Sequence, residues 1–335
     1  MSSRSVAFLT GPSDLMVFLA GLQHLGESLA PWAVVLTGRN SNIPEAMVDT
    51  CRSMAQGAPV FFIDFDDPTA VPALLDQLGR DFDSVAITHL MGAEEEELLA
   101  ELRWQRLILT ENGIATHLLP ANRARRLNRR TGRPRFAPDL AFLPLSGHPL
   151  LGCPPYLRRL PALKLLGHDP EAYGQVRASL TRNSGLAPIA ARIAAAASCA
   201  VVAGTSLSRA KLLSPEAEAR AYRTVLKRLA RQGHDLVVWK PHPRLDCDIG
   251  KLAHLVTVHD FLPLELLLPF GSPSVTVWST ASSCLLTARL WHGLQSRRIP
   301  VAMASARHPH VAFLQQVISP GPNQTDLRGD DAPST

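Results

Sequence analysis

The sequence predicts an α/β protein built from two doubly wound domains, each a parallel sheet flanked by helices, facing one another across a cleft. Three observations carry this reading. Short apolar runs rich in Val and Ile alternate with amphipathic helical patterns through the first 115 residues, the signature of βαβ units. The alternation stops near residue 120 and resumes near residue 188. A length of 335 residues suits two domains of ordinary size.

Taken in order, Val6–Thr10 reads as a strand, and Asp14–Leu25 follows at helical spacing behind Ser13 as a plausible N-cap. Trp32–Thr37 and Pro44–Met54, Val60–Asp64 and Pro72–Leu78, and Ser84–Leu90 and Glu94–Leu102 repeat the pair. Arg106–Thr110 is a fifth strand, closing on Glu111-Asn112-Gly113. These elements define a first domain over 1–120. Residues 121–187 read as an inter-domain segment with short helices. Seven arginines fall between Arg123 and Arg135, and prolines recur at Pro134, Pro138, Pro144, Pro149, Pro154 and Pro155.

The second domain is expected over 188–318. Pro188–Ala197 is a helix, and Cys199–Ala203 a strand ending at Gly204-Thr205-Ser206. Glu216–Arg231 is a long helix with Ala219, Tyr222, Val225, Leu226 and Leu229 on one face. The strands Leu236–Trp239, Leu255–His259, Val275–Trp278 and Ile299–Met303 follow, with helices over Pro263–Leu268 and Leu285–Gly293. Residues 319–335 read as a disordered tail.

Composition narrows the function. Apolar content of 46% with 19% charged residues describes well-filled cores. The formal net charge of +5 is a mild basic bias, suited to an anionic small ligand and too weak to imply nucleic acid. Five cysteines, Cys51, Cys153, Cys199, Cys247 and Cys284, show no CxxC spacing, which argues for reduced thiols and against zinc. Gly11, Pro12, Ser13 and Asp14 interrupt the first apolar run, so it does not read as a signal peptide. No stretch reaches the roughly 18 apolar residues of a membrane span. The expectation is a cytoplasmic protein, soluble or peripheral to the inner face of the plasma membrane.

Two stretches organise the chemistry. Asp235–Arg244, DLVVWKPHPR, runs from a buried strand into Lys240, His242 and Arg244; Ser274–Ser283, SVTVWSTASS, runs into Ser279, Thr280 and Ser282. In an open parallel sheet, ligands bind outside the carboxyl ends of strands. One end offers an ammonium, an imidazole and a guanidinium. The other offers hydroxyls and backbone N–H groups where a helix begins, which suits a phosphate. Pro241 and Pro243 flank His242 and fix its backbone. Gly204 and Thr205 add donors at a third strand end. Asp64-Phe65-Asp66-Asp67 contains a DxD pattern, but its place before Pro68 and a helix favours helix-start acids over a metal site, and Glu94–Glu97 reads the same way. No metal or other cofactor is expected.

The KPHPR segment resembles the HP motif of bacterial sialyltransferases and polysialyltransferases. WSTASS resembles their Ser/Thr motif, and Glu111-Asn112-Gly113 resembles their acidic motif, ordinarily two acids and a glycine. The order agrees as well, with Leu262–Glu265 between the HP and Ser/Thr segments. The likeness is strongest over 199–290. It implies two Rossmann-like domains of the GT-B type and an inverting, metal-independent transfer from a CMP-activated nonulosonic acid to a glycan. Glu111 would be the base, with Gly113 allowing the turn after it, and His242 would stabilise or protonate the departing phosphate. Lys240, Pro243, Arg244, Gly204, Thr205, Glu265, Ser279, Thr280 and Ser282 would hold the donor. Arg129 and Arg130, in the arginine run, would meet an anionic acceptor or a membrane surface. Asn112 departs from the usual second acid. The alternatives are another donor, such as CMP-Kdo or a UDP-sugar, and a sugar-nucleotide-binding protein without transfer activity.

Overall fold

A computed structural model describes residues 5–39, 43–88, 93–119, 122, 139–147, 151, 153–158, 164–167, 169–208, 211–242, 255–299 and 312–313. The chain divides into two compact units, one of residues 1–186 with 261–266, the other of 187–260 with 267–335. Each holds one parallel sheet.

The first unit opens with β1 (Ser5–Leu9) and α1 (Pro12–Leu25). Pro12 enters α1 in its first turn, where a missing N–H is harmless. Gly26 ends the helix with φ 69°, and its N–H bonds back to the helix carbonyls. The units β2 (Trp32–Gly38) with α2 (Glu45–Met54), β3 (Val60–Asp64) with α3 (Ala70–Leu78), and β4 (Asp81–Thr88) with α4 (Ala93–Glu101) follow, then β5 (Arg103–Thr110) and the short α5 (Gly113–His117). All burial positions of β1 are closed, as expected for a strand covered on both faces. Phe8, Val35, Ile87, Leu107 and Leu109 share the core with Leu75, Leu98 and Leu99 from the helices.

The stretch expected to link two domains instead enlarges the first sheet. β6 (Leu140–Phe142) pairs in parallel with β5, and β7 (Lys164–Leu166) pairs with β6, giving the order β3-β2-β1-β4-β5-β6-β7. Both are three residues long, too short to show a period between prolines. α6 (Pro170–Asn183) then returns to pack on α1; Asp169 caps it by accepting from the N–H groups of Glu171 and Ala172. The expected tail and the arginine run lie outside the described residues.

The second unit carries α7 (Ala187–Ala195), β8 (Cys199–Ala203), α8 (Pro215–Arg231), β9 (Leu236–Lys240), β10 (Leu255–Thr257), β11 (Val275–Ser279), α9 (Cys284–Leu290) and β12 (Gln295–Arg298). The order is β10-β9-β8-β11-β12, all parallel. Ser214 caps α8 by accepting from the Ala217 N–H, with Pro215 in the first turn. Tyr222, Val225, Leu226 and Leu229 seat α8 on Val202, Val237 and Trp239. The expected strand at Ile299–Met303 is corrected: the strand is Gln295–Arg298, and residues from 300 to 303 lie outside the described ones. It is a sheet edge, held by backbone pairing to β11, so its side chains have no need to be apolar. Among the described residues, no helix is long and apolar enough to cross a membrane.

Gly21 shows how firmly β6 belongs to the first unit. A Cβ built at this mid-helix position would lie 2.5 Å from the Phe142 ring, so glycine permits α1 to approach the strand. Gly21→Ala should therefore destabilise the protein by about 1–3 kcal/mol through overpacking. Helix propensity alone would predict a gain of about 1 kcal/mol, and urea unfolding distinguishes the two signs.

Candidate functional site

Each sheet reverses its strand order at one point, between β1 and β4 in the first unit and between β8 and β11 in the second. Ligands bind at such points in open α/β sheets, outside the carboxyl ends. Several of the residues singled out by sequence lie at the carboxyl ends of these two sheets.

In the second unit the registers place Ala203, Lys240 and Ser279 side by side at the ends of β8, β9 and β11. Beyond them lie Gly204-Thr205, Pro241-His242 and Thr280. Gly204 is required by contact. Its N–H donates to the Lys240 carbonyl at 2.8 Å, and a Cβ here would stand 2.5 Å from the His242 backbone nitrogen. The loop after β8 thus lies directly against the turn that carries His242.

Thr205 and Thr280 are buried and share a hydrogen bond of 2.6 Å between their hydroxyls. The Tyr222 hydroxyl completes a triangle, 2.8 Å from Thr205 Oγ1 and 3.0 Å from Thr280 Oγ1, and also accepts from the Thr205 N–H at 2.9 Å. Glu218, from the first turn of α8, lies beneath them with no exposed surface. It accepts from Thr205 Oγ1, Leu207 N and Ser208 N at 3.2, 2.9 and 2.8 Å. Sequence reasoning missed Glu218, although it sits four residues before Tyr222 on the apolar stripe of its helix, an unexpected position for an acid.

The other expected donor-binding residues divide. Ser279 donates its hydroxyl to the Ala203 carbonyl at 2.8 Å, tying β11 to β8. Lys240 is buried, and its ammonium meets Asp260 through Oδ1 at 2.5 Å and the carbonyl at 3.0 Å. Ser282 accepts from the Cys284 N–H at 3.2 Å, where α9 begins. His242 is half-buried beside Pro241. Glu265 groups with the first unit, on a 3₁₀ turn over Leu264–Leu266, where its carbonyl accepts from Arg177 Nε at 2.9 Å. Pro243, Arg244, Arg129 and Arg130 lie outside the described residues.

In the first unit Glu111 follows β5 and is 2% exposed. Its Oε2 accepts from the Leu145 N–H at 2.7 Å, and its Oε1 contacts Nε2 of His117, on α5. Burial raises its carboxyl pKa, opposed by His117 and the Leu145 N–H. Gly113, at φ 50°, makes the left-handed turn expected of it. Asn112 donates through Nδ2 to Thr10 Oγ1 at 3.0 Å, and its N–H donates to Thr116 Oγ1 at 2.8 Å. Thr10 in turn donates through both N–H and Oγ1 to Oδ2 of Asp14, which is joined by Thr88 Oγ1 at 3.4 Å. Burial pushes the Asp14 carboxyl up to about 6. Of the acids around the DxD pattern, Asp64 accepts from the Asp66 N–H at 2.9 Å, Asp66 pairs with Arg39 Nη1 at 3.0 Å, and Asp67 accepts from the Thr69 N–H at 2.8 Å.

Residues 166–296 match the family model described as Alpha-2,8-polysialyltransferase (POLYST). Over that segment the chain is similar to this family. The matched segment contains Gly204, Thr205, Glu218, Lys240, His242, Ser279 and Thr280. No curated protein matches the sequence. Among solved structures, the chain is similar to the alpha/beta-galactoside alpha-2,3-sialyltransferase of Photobacterium phosphoreum, with TM-score 0.58, 12% identity and 94% of each chain covered. The GT-B domain of the Photobacterium damselae sialyltransferase gives TM-score 0.56 at 10% identity, over 94% of this chain and 97% of that one. The UDP-N-acetylglucosamine 2-epimerase of Rickettsia bellii gives 0.50 at 12% identity, over 90% and 80%. At these identities the likeness establishes the architecture, a GT-B-like pair of α/β units.

Two predictions follow from the packing of these edges. Thr280→Val removes one corner of the triangle, leaving Thr205 and Tyr222 bonded to each other but each short of one partner, and should cost about 0.5–1.5 kcal/mol in urea unfolding; an unchanged midpoint would mean the Thr280 hydroxyl contributes nothing net. Asp14 supplies the second. Its folded pKa of about 6 exceeds the ordinary 3.8, so the folded state binds more protons between those values, and stability falls as pH rises through that window. The gap corresponds to about 3 kcal/mol. Asp14→Asn removes it, so the variant's stability relative to wild type should improve between about pH 4 and pH 7.

Proposed function

We propose that the protein transfers sialic acid, or a related nonulosonic acid, from a CMP-activated donor to a glycan hydroxyl, with inversion and without a metal ion. The observation that carries this reading is the family segment itself, whose strand ends bring Gly204, Pro241-His242 and Thr280 to one sheet edge at a switch point. CMP leaves as a phosphate monoester that gains negative charge as the glycosidic bond breaks. His242, on the turn braced by Pro241 and Gly204, stabilises or protonates that charge. With an imidazole and strand-end N–H groups answering the phosphate, no metal is called for.

Glu111 serves as the base. A carboxylate whose pKa is raised by burial holds a proton more strongly than an exposed glutamate, which suits it to draw the proton from an acceptor hydroxyl. The hydroxyl oxygen bonds to the anomeric carbon on the face opposite the departing phosphate, and the electron pair of the broken bond leaves with CMP. Thr205, Thr280 and Ser279, whose hydroxyls are committed within the protein, shape the phosphate's surroundings, and Lys240 adds a paired positive charge. Arg129 and Arg130 remain proposed contacts for an anionic acceptor.

His242→Ala should fold as wild type does and lose transfer by about 10²–10⁴ in a CMP-release assay. Calorimetry with CMP, UMP and UDP on the wild-type protein tests the donor. Preference for CMP supports the reading, preference for UDP moves the donor to a UDP-sugar, and CMP binding without turnover of CMP-sialic acid leaves a binding protein.

A further inference from the structure

His117 is not explained by packing. It lies in the five-residue α5, 5% exposed, with Nε2 against Glu111 Oε1. Its other ring nitrogen, Nδ1, is buried and has no hydrogen-bond partner among the described residues. A buried polar atom left unpaired costs about 1–3 kcal/mol, which a methionine or leucine would avoid. The imidazole is therefore held for what Nε2 does. The close Nε2–Oε1 contact needs a proton between the two atoms, either on the imidazole facing a carboxylate or on the carboxyl facing a bare nitrogen. The Leu145 N–H on Oε2 fixes the second oxygen, so the carboxyl plane is determined at both ends.

We propose that His117 is the positioning residue of the base: it donates Nε2–H to Glu111, holding the carboxylate ionised and in a single orientation until the acceptor's proton arrives. This rests on Glu111 being the base. In the resting pair the proton sits on Nε2 and Glu111 is anionic. As the acceptor oxygen bonds to the anomeric carbon, its proton passes to the Glu111–His117 pair, and the bond to phosphate breaks with its electrons leaving on CMP. Among the described residues the titratable group in contact with Glu111 is His117 from α5; Asp14 from α1 is linked only indirectly, through Thr10 to Asn112, the residue after Glu111. The pH test must therefore separate Glu111 from Asp14.

The experiment is the initial transfer rate against pH for the full-length wild type and for Glu111→Gln, His117→Leu and His117→Gln, with thermal melting as a folding control. The limb that rises with pH in the wild type should vanish in Glu111→Gln, which assigns it to Glu111. Without the imidazole donor the Glu111 carboxyl loses a group that lowers its pKa, so the limb should move to higher pH in His117→Leu, with the rate at neutral pH down about tenfold or more. His117→Gln restores an N–H donor and should recover most of the rate. A limb unmoved in folded His117→Leu, with Glu111→Gln still lacking it, overturns the role of His117 alone. A Glu111→Gln variant that keeps both rate and limb overturns the base as well. If His117→Leu does not fold, imidazole NMR decides. In the wild type Nε2 of His117 should carry the proton, seen as a proton-coupled Nε2 resonance, and an unprotonated Nε2 overturns the proposal.

Discussion

Glu218 has no exposed surface, yet it takes three donors, Thr205 Oγ1 and the N–H groups of Leu207 and Ser208. A buried carboxylate is tolerated only when hydrogen bonds replace its lost hydration. Here those bonds come from the loop after β8, so the satisfaction of the acid and the shape of the loop are one condition. The loop then has to lie where Gly204 touches the Pro241–His242 backbone, and Thr205 has to reach Thr280. Three strand ends acquire fixed relative positions from one side chain on α8.

The first unit uses the same arrangement with different residues. Asp14, in the first turn of the helix after β1, takes the N–H and hydroxyl of Thr10, as Glu218 takes donors from Thr205 and its neighbours. Across each switch point a threonine on the neighbouring strand's end joins in, Thr88 after β1 and Thr280 after β8. In both sheets the strand that opens the unit, on one side of the switch point, is therefore followed by a hydroxyl bound to a buried acid. What differs is the group standing next to this brace. The first unit places a second acid, Glu111, with His117; the second places an imidazole, His242.

Much of this was legible in the residues. The apolar run Cys199–Ala203 coincides with β8 at both ends, because a five-residue apolar run covered on both faces has little else to become. The strand ends at Lys240 and Ser279 were visible as abrupt changes from Val-rich runs to polar residues. What hydroxyls do at those ends was not. In the sequence Ser279 and Thr280 suit donors to a ligand, but in the folded chain their hydroxyls meet the Ala203 carbonyl and Thr205, partners 76 and 75 residues away. Such distances leave no periodic trace. His117 stands six residues from Glu111, a spacing that neither helix nor strand brings together, and the turn at Gly113 closes it. β6 and β7 were hidden by their length, and β12 by its polarity.

That polarity has a consequence of its own. Among the described residues β12 pairs only with β11, so it ends the second sheet, and an unpaired strand edge is an invitation to join another chain. Its sequence, Gln295-Ser296-Arg297-Arg298, counters this. Arg297 lies over the Trp278 ring at 5.4 Å, covering the indole of its neighbour with a cation. Two adjacent guanidinium groups make a second copy of the same edge electrostatically unwelcome, so like molecules repel where a run of valines would have let them zip together.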